Sequence, residues 1–176
     1  KKRIKEIYDE YKDQCDVTYI GFSGGKDSSV LLDLCHQVLP ISVPVIFSDT
    51  DMELPSTYRF WDVIQKKYDE RPFVKVRADR TALENWTLFG PPSQNLRWCC
   101  TVHKSTPAIL YLRKLSNIPY ARTLAYVGVR ADESVRRSSY DDIGDGLKNQ
   151  NQINAMPILS WGCLLYTSDA ADDLLC

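Results

Sequence analysis

Between Val17 and Leu39 the chain passes through an apolar run, Val17-Thr-Tyr-Ile-Gly-Phe22, then Ser23-Gly24-Gly25-Lys26-Asp27-Ser28, then a stretch of helical period from Ser28 to Leu39. A strand that turns through paired glycines into a helix has the geometry of an anion site. The helix N-terminus offers unpaired backbone N–H groups and the positive end of the dipole, and the glycines let the backbone curl around a polyanion without Cβ clashes. Lys26 adds a mobile cation, and Ser23 and Ser28 add hydroxyl donors. The pattern is not GxxxxGK[ST], because the two glycines are adjacent. An ordinary capped turn would need one Ser and none of Gly24-Gly25-Lys26-Asp27.

The rest of the chain repeats the alternation. Ile4, Ile7, Tyr8 and Tyr11 recur at helical spacing, so residues 2–14 read as an amphipathic helix. Strands are expected at Val17–Phe22, Val43–Phe47, Pro72–Val76, Arg122–Gly128 and Ile153–Leu159. Helices are expected at Ser28–Leu39, from Pro55 to about Tyr68, at Thr81–Leu88 and at Lys104–Leu115, the last with Pro107 in its first turn. Cys35 and the aromatic stripe Tyr58, Trp61 and Tyr68 read as core filler. Strands alternating with helices imply an α/β three-layer sandwich with a mainly parallel, five-stranded sheet. In such sheets nucleotides bind beyond the C-terminal strand ends.

At 176 residues the chain fits one domain, and its net charge of −1 gives no global reason for nucleic-acid binding. No stretch approaches a membrane span, no signal peptide is visible, and the cytoplasm is the default location. Six cysteines without secretory context argue for thiols or metal ligands rather than disulfides. From Asn149 onward there is no Lys or Arg, and Gly162–Cys176 has neither helical nor strand period. That stretch resembles translated adapter sequence. We expect a truncated nucleotide-binding domain over residues 1–161 and a non-native tail over 162–176, so Cys163 and Cys176 are not read as ligands.

Three further clusters fall at strand ends. Asp49-Thr50-Asp51-Met-Glu53 could hold Mg²⁺ with a nucleotide, accept ribose hydroxyls, or simply start a helix. Arg97-Trp-Cys99-Cys100-Thr-Val-His103-Lys104 sets two adjacent thiols among cationic side chains, ahead of a helix whose N-terminus would lower a thiol pKa. Cys99, Cys100 and His103 give zinc only three ligands, and two buried structural cysteines are the bland alternative. Gly128-Val-Arg130-Ala-Asp132-Glu133-Ser134-Val-Arg136-Arg137 brings guanidinium groups suited to phosphate or sulfate, unless it is a solvated loop of surface ion pairs.

The Ser23–Ser28 motif resembles the SGGxDS loop of the PP-loop ATP pyrophosphatases. The Asp49 segment resembles the DTGxxxPET-like stretch of phosphoadenylyl-sulfate (PAPS) reductases, with Asp51 in place of the usual glycine, Cys99-Cys100 with Lys104 resembles a CCxxxK stretch, and Gly128–Ser134 resembles GxRxxES. Four motifs in order over about residues 17–161 resemble the PAPS reductase family of the adenine nucleotide α-hydrolase-like, Rossmann-like superfamily.

The resemblance implies sulfonucleotide reduction with a thioredoxin-like thiol reductant. A second implied activity is ATP cleavage that adenylates an acceptor for sulfur insertion into nucleic acid, and a third reading is a non-catalytic nucleotide-binding module. It implies ATP or PAPS at Ser23, Gly24, Gly25, Lys26, Asp27, Ser28, Asp49 and Thr50, with Lys26, Asp27 and Asp49 catalytic and Asp27 or Asp49 orienting Mg²⁺. The second substrate is expected at Lys104, Arg130, Glu133, Ser134 and Arg137. Cys99 and Cys100 would share a four-iron iron-sulfur cluster with a CxxC pair that this chain lacks.

Overall fold

The computed structural model describes residues 1–162 apart from 94, 135–136 and 147–148. The expected tail from 163 onward, Cys163, Cys176 and Arg136 therefore lie outside the described residues. Helix α1 (Lys2–Tyr11) leads into β1 (Val17–Phe22), α2 (Lys26–His36), β2 (Val45–Asp49), α3 (Pro55–Lys67), β3 (Phe73–Arg77) and α4 (Ala82–Phe89). A π-helical turn, Cys100–Ser105, runs into α5 (Thr106–Ser116), followed by β4 (Thr123–Tyr126), β5 (Ile143–Gly146) and β6 (Asn149–Ala155).

The strand order is β3-β2-β1-β4-β6-β5, parallel throughout except that β5 runs antiparallel to β6. Alternation along the strands divides the core. Ile20, Phe22, Val45, Phe47, Leu124, Tyr126, Ile153 and Ala155 join Ile4 and Ile7 of α1, Leu31, Leu32 and Cys35 of α2, and Trp61 and Ile64 of α3. Tyr19, Ile46, Val76 and Ala125 point the other way, against Leu112 of α5. The three layers expected from the sequence are therefore present. Cys35 is fully buried, as expected of a core filler, and desolvation pushes its thiol pKa well up.

Two expectations need correction. The sheet has six strands rather than five. β5 is built from Ile-Gly-Asp-Gly, which has one β-former in four residues, and it exists because β6 offers it an edge. The last strand also lies at Asn149–Ala155 rather than Ile153–Leu159. Pro157 cannot donate to a ladder, so the chain turns there while Ile158 still fills the core.

The second correction concerns the cysteines. Helical backbone begins at Trp98, so Cys99 and Cys100 lie within a helical stretch rather than ahead of a helix that starts at Lys104. Among the described residues no helix is long and apolar enough to cross a membrane.

Candidate functional site

The C-terminal ends of β1, β2 and β4 open onto one cleft of about 730 Å³, walled by Ser23 and Ser28, Glu53, Lys104, Ser105 and Gly128. That volume suits a ligand of nucleotide size. The wall begins where β1 stops. Gly24 has φ +76°, a left-handed turn that L side chains resist, and a Cβ there would approach Thr57 Cγ2 to 2.8 Å. Gly25 is extended and N-caps α2, and among the described residues a Cβ there would meet only Ser23 Oγ, at 3.5 Å. The backbone before the helix is thus open at Gly25, whereas at Gly24 the Thr57 side chain takes the place of a Cβ.

Ser28 organises the turn from inside. Its hydroxyl donates to Gly25 O at 2.8 Å and accepts from Ser23 N at 3.2 Å, and Ser29 Oγ donates to the same Gly25 carbonyl at 3.0 Å. Lys26 is the first residue of α2, with an exposed side chain. Asp27 is turned inward. Arg130 Nε donates to Asp27 Oδ1 at 3.0 Å, with the two side chains 6% and 10% exposed, and Arg130 Nη1 reaches Asp132 Oδ2 at 2.9 Å.

The loop after β2 is closed by its own polar groups. Asp49 Oδ1 accepts from Tyr58 Oη at 2.7 Å and from Asp51 N at 2.9 Å. Thr50 Oγ1 donates to Glu53 Oε1 at 2.8 Å, and both Asp49 and Thr50 are buried. Burial and the neighbouring Asp49 push the Tyr58 hydroxyl up to about 12, so it stays a donor. Asp51 adopts φ +63°, the left-handed geometry a glycine would supply. Its carboxylate accepts from Ala82 N and pairs with Arg77, and these contacts, the backbone N–H first, lower its pKa.

On the far wall, Lys104 lines the cleft while its carbonyl accepts from Ser48 Oγ at 3.3 Å. His103, one residue earlier, is fully buried between the Trp98 ring and Asn85, whose side-chain nitrogen lies 3.0 Å from Nε2. Burial lowers its pKa and keeps the ring neutral. At the rim Arg137 pairs with Glu133, and Ser134 Oγ accepts from Arg137 N at 3.4 Å.

Of the residues expected to bind a ligand, Ser23, Ser28 and Lys104 face the cleft, and Gly24, Gly25 and Lys26 lie between the first two in the turn that starts α2. Asp27 and Arg130 are drawn into each other, and Thr50, Glu133 and Arg137 are engaged within their own loops. The sequence offers Asp27 or Asp49 to a cation and Arg130 to a substrate, and in the structure Asp27 and Arg130 are paired with each other. One contributor escapes the sequence: Tyr58, nine residues after Asp49, reads as core, yet its hydroxyl donates to Asp49.

Cys99 and Cys100 are free and half-buried, whereas the other described thiols, Cys15 and Cys35, lie in the α1–β1 connection and on the buried face of α2. Among the described residues no group of three or more His, Cys, Asp or Glu is gathered to hold a metal ion, so a four-thiolate cluster does not fit this set.

Comparison with known proteins gives the same outline. The family model for the phosphoadenosine phosphosulfate reductase domain matches residues 18–164. Two uncharacterized proteins of Methanocaldococcus jannaschii are similar, at 31% identity over 162 residues and 35% over 158. These alignments cover 92% and 90% of this chain but only 32% and 36% of those proteins. An adenosine 5'-phosphosulfate reductase of Staphylococcus haemolyticus is 24% identical, covering 86% of this chain and 59% of its own length. The chain thus spans about a third of the archaeal relatives and three-fifths of the reductase.

Among solved structures, a phosphoadenylyl-sulfate reductase of Candida auris in a phosphate complex superposes with TM-score 0.64 at 19% identity, over 95% of this chain and 79% of that one. An FMN adenylyltransferase of Candida glabrata gives 0.59 at 16%, over 94% and 52%. Both show a shared fold.

Proposed function

The chain belongs to the phosphoadenosine phosphosulfate reductase domain family, and from that premise we propose that it is the nucleotide-binding domain of a sulfonucleotide reductase in sulfur metabolism. One observation carries the reading. The backbone at Gly25 is open directly before the first turn of α2, and the flanking Ser23 and Ser28 line a nucleotide-sized cleft. A 5'-phosphate there would meet the backbone N–H groups of the first helical turn and the Lys26 ammonium. The adenosine would extend along the cleft past Gly128, and the sulfate end would lie towards Lys104.

In this reading the residues of this chain hold and orient the substrate, and the reducing thiols come from elsewhere in the intact enzyme and from a thioredoxin-like partner. Fixed donors aimed at the phosphosulfate would stabilise charge as the sulfur–oxygen bond to the nucleotide is broken. Asp27 faces Arg130, and Asp49 accepts from Tyr58 and Asp51 N, so Mg²⁺ brought by a nucleotide would have to displace one of these contacts to be held by either carboxylate.

A second reading is ATP cleavage with transfer of adenylate to an acceptor such as a nucleic acid. It is favoured by Lys26, a cation placed to offset a leaving pyrophosphate. Calorimetric titration with PAPS and with ATP–Mg²⁺, with pyrophosphate release followed in parallel, separates the two. Tighter binding of PAPS without pyrophosphate release is expected. Acceptor-dependent pyrophosphate release from ATP would replace the first reading by the second.

A further inference from the structure

We infer that Asp27, Arg130 and Gly128 form a clamp that fixes the first turn of α2 without a metal ion. Asp27 and Arg130 thereby become positioning residues for the phosphate niche. The inference rests on the proposed nucleotide site and names how that site is held.

Two separate contacts support it. The first is ionic. The Arg130 guanidinium reaches back from the β4 exit to Asp27 in the first turn of α2, and both side chains are almost wholly buried. Arg130 is itself aimed by Asp132 and by Glu133, whose Oε2 accepts from Arg130 N at 3.2 Å. Removing either partner of so buried a pair leaves the other without its contact.

The second contact is backbone on backbone. A Cβ on Gly128 would lie 2.8 Å from both Asp27 C and Ser28 N. The β4 exit therefore touches the first turn of α2 more closely than any residue with a side chain allows. One contact sets the distance between the two segments, and the other sets the rotation of the turn.

The consequence is functional. Helix N-terminal N–H groups bind an anion well when their directions are fixed before it arrives, because ordering costs are then not charged against binding. A carboxylate already neutralised by a guanidinium has no need of a divalent cation. Phosphate binding at the niche should then be independent of Mg²⁺, and coupled to the Glu133–Arg137 rim through Arg130.

The test uses Asp27→Asn, Arg130→Gln, their combination, and the milder Arg130→Lys, each checked for a cooperative thermal transition. Amide hydrogen exchange over residues 23–30 reads the clamp without any ligand. Titration with adenosine 5'-monophosphate, in Mg²⁺ and in chelator, reads the site. We expect each charge-removing variant to speed exchange and weaken the nucleotide by about tenfold, equally with and without Mg²⁺. The combination should be no worse than either single change, and Arg130→Lys should recover part of both losses.

Unchanged exchange in Arg130→Gln and Arg130→Lys would overturn the clamp. So would an affinity loss in Asp27→Asn confined to Mg²⁺, which would make Asp27 a cation ligand. Should the unsubstituted chain bind no nucleotide, the proposed function would fail while the exchange experiment still decides the clamp.

Discussion

The loops after β1 and β2 each need one residue in the left-handed region, and they meet the need in opposite ways. After β1 the residue is Gly24, and a Cβ would strike Thr57. After β2 it is Asp51, whose side chain is tied to Ala82 N and Arg77. The first solution gives the place of a side chain to Thr57 of α3. The second consumes the side chain in bracing the loop to α4. The difference teaches that a left-handed turn can be met by omitting a side chain or by using one as a support.

Substitutions should widen or collapse that contrast. The largest effect is expected for Gly24→Ala, which combines about 1–2 kcal/mol of left-handed strain with the Thr57 collision. Urea denaturation of Gly24→Ala, Thr57→Ala and the double variant should show the double less destabilised than the sum of the singles. Strict additivity would mean that the collision is relieved some other way.

Asp51 should behave differently. Asp51→Gly loses the tether but also the strain, and should sit within about 1 kcal/mol of the parent, whereas Asp51→Ala keeps the strain without the tether and should cost about 1–2 kcal/mol. Equal losses in the two variants would erase the proposed distinction between the loops.

The smallest effect is a pH dependence. His103 is neutral because it is buried, with its pKa below the ordinary value of 6.5. Near that value the unfolded chain binds a proton that the folded one refuses, so the contribution of His103 is complete above it and is lost as pH falls below it. Urea midpoints between pH 7.5 and 5.5 should fall with acid in the parent and fall less in His103→Gln. Parallel curves would show that another group carries the dependence.

Much of the fold was legible because β1, β2, β3 and β4 are short apolar or β-branched runs bounded by turn residues. The strand β6 was misplaced because Asn149-Gln-Asn-Gln-Ile-Asn-Ala155 has little apolar period and is held by its ladder to β4 and by Tyr19 Oη on Gln152. The π-turn is equally silent, since one extra residue per turn changes backbone bonding without changing composition.

In the site, Ser23 to Ser28 could be read locally because a turn and a helix start are local structures. The Asp27–Arg130 pair could not. Its members stand 103 residues apart, and each alone has the chemistry of a ligand. Only the packing of β4 beside β1, with Gly128 against α2, turns two candidate ligands into one another's partner.

The central claim is that the niche before α2 receives a nucleotide phosphate, and Gly25→Val tests it most directly. Among the described residues a Cβ at that position would meet only Ser23 Oγ within 4 Å, so the variant should fold with little change in thermal midpoint. Calorimetric titration with PAPS should then show binding in the parent and none in Gly25→Val. Equal affinity in a folded Gly25→Val variant would contradict the account, because the space it fills would not be where the phosphate goes.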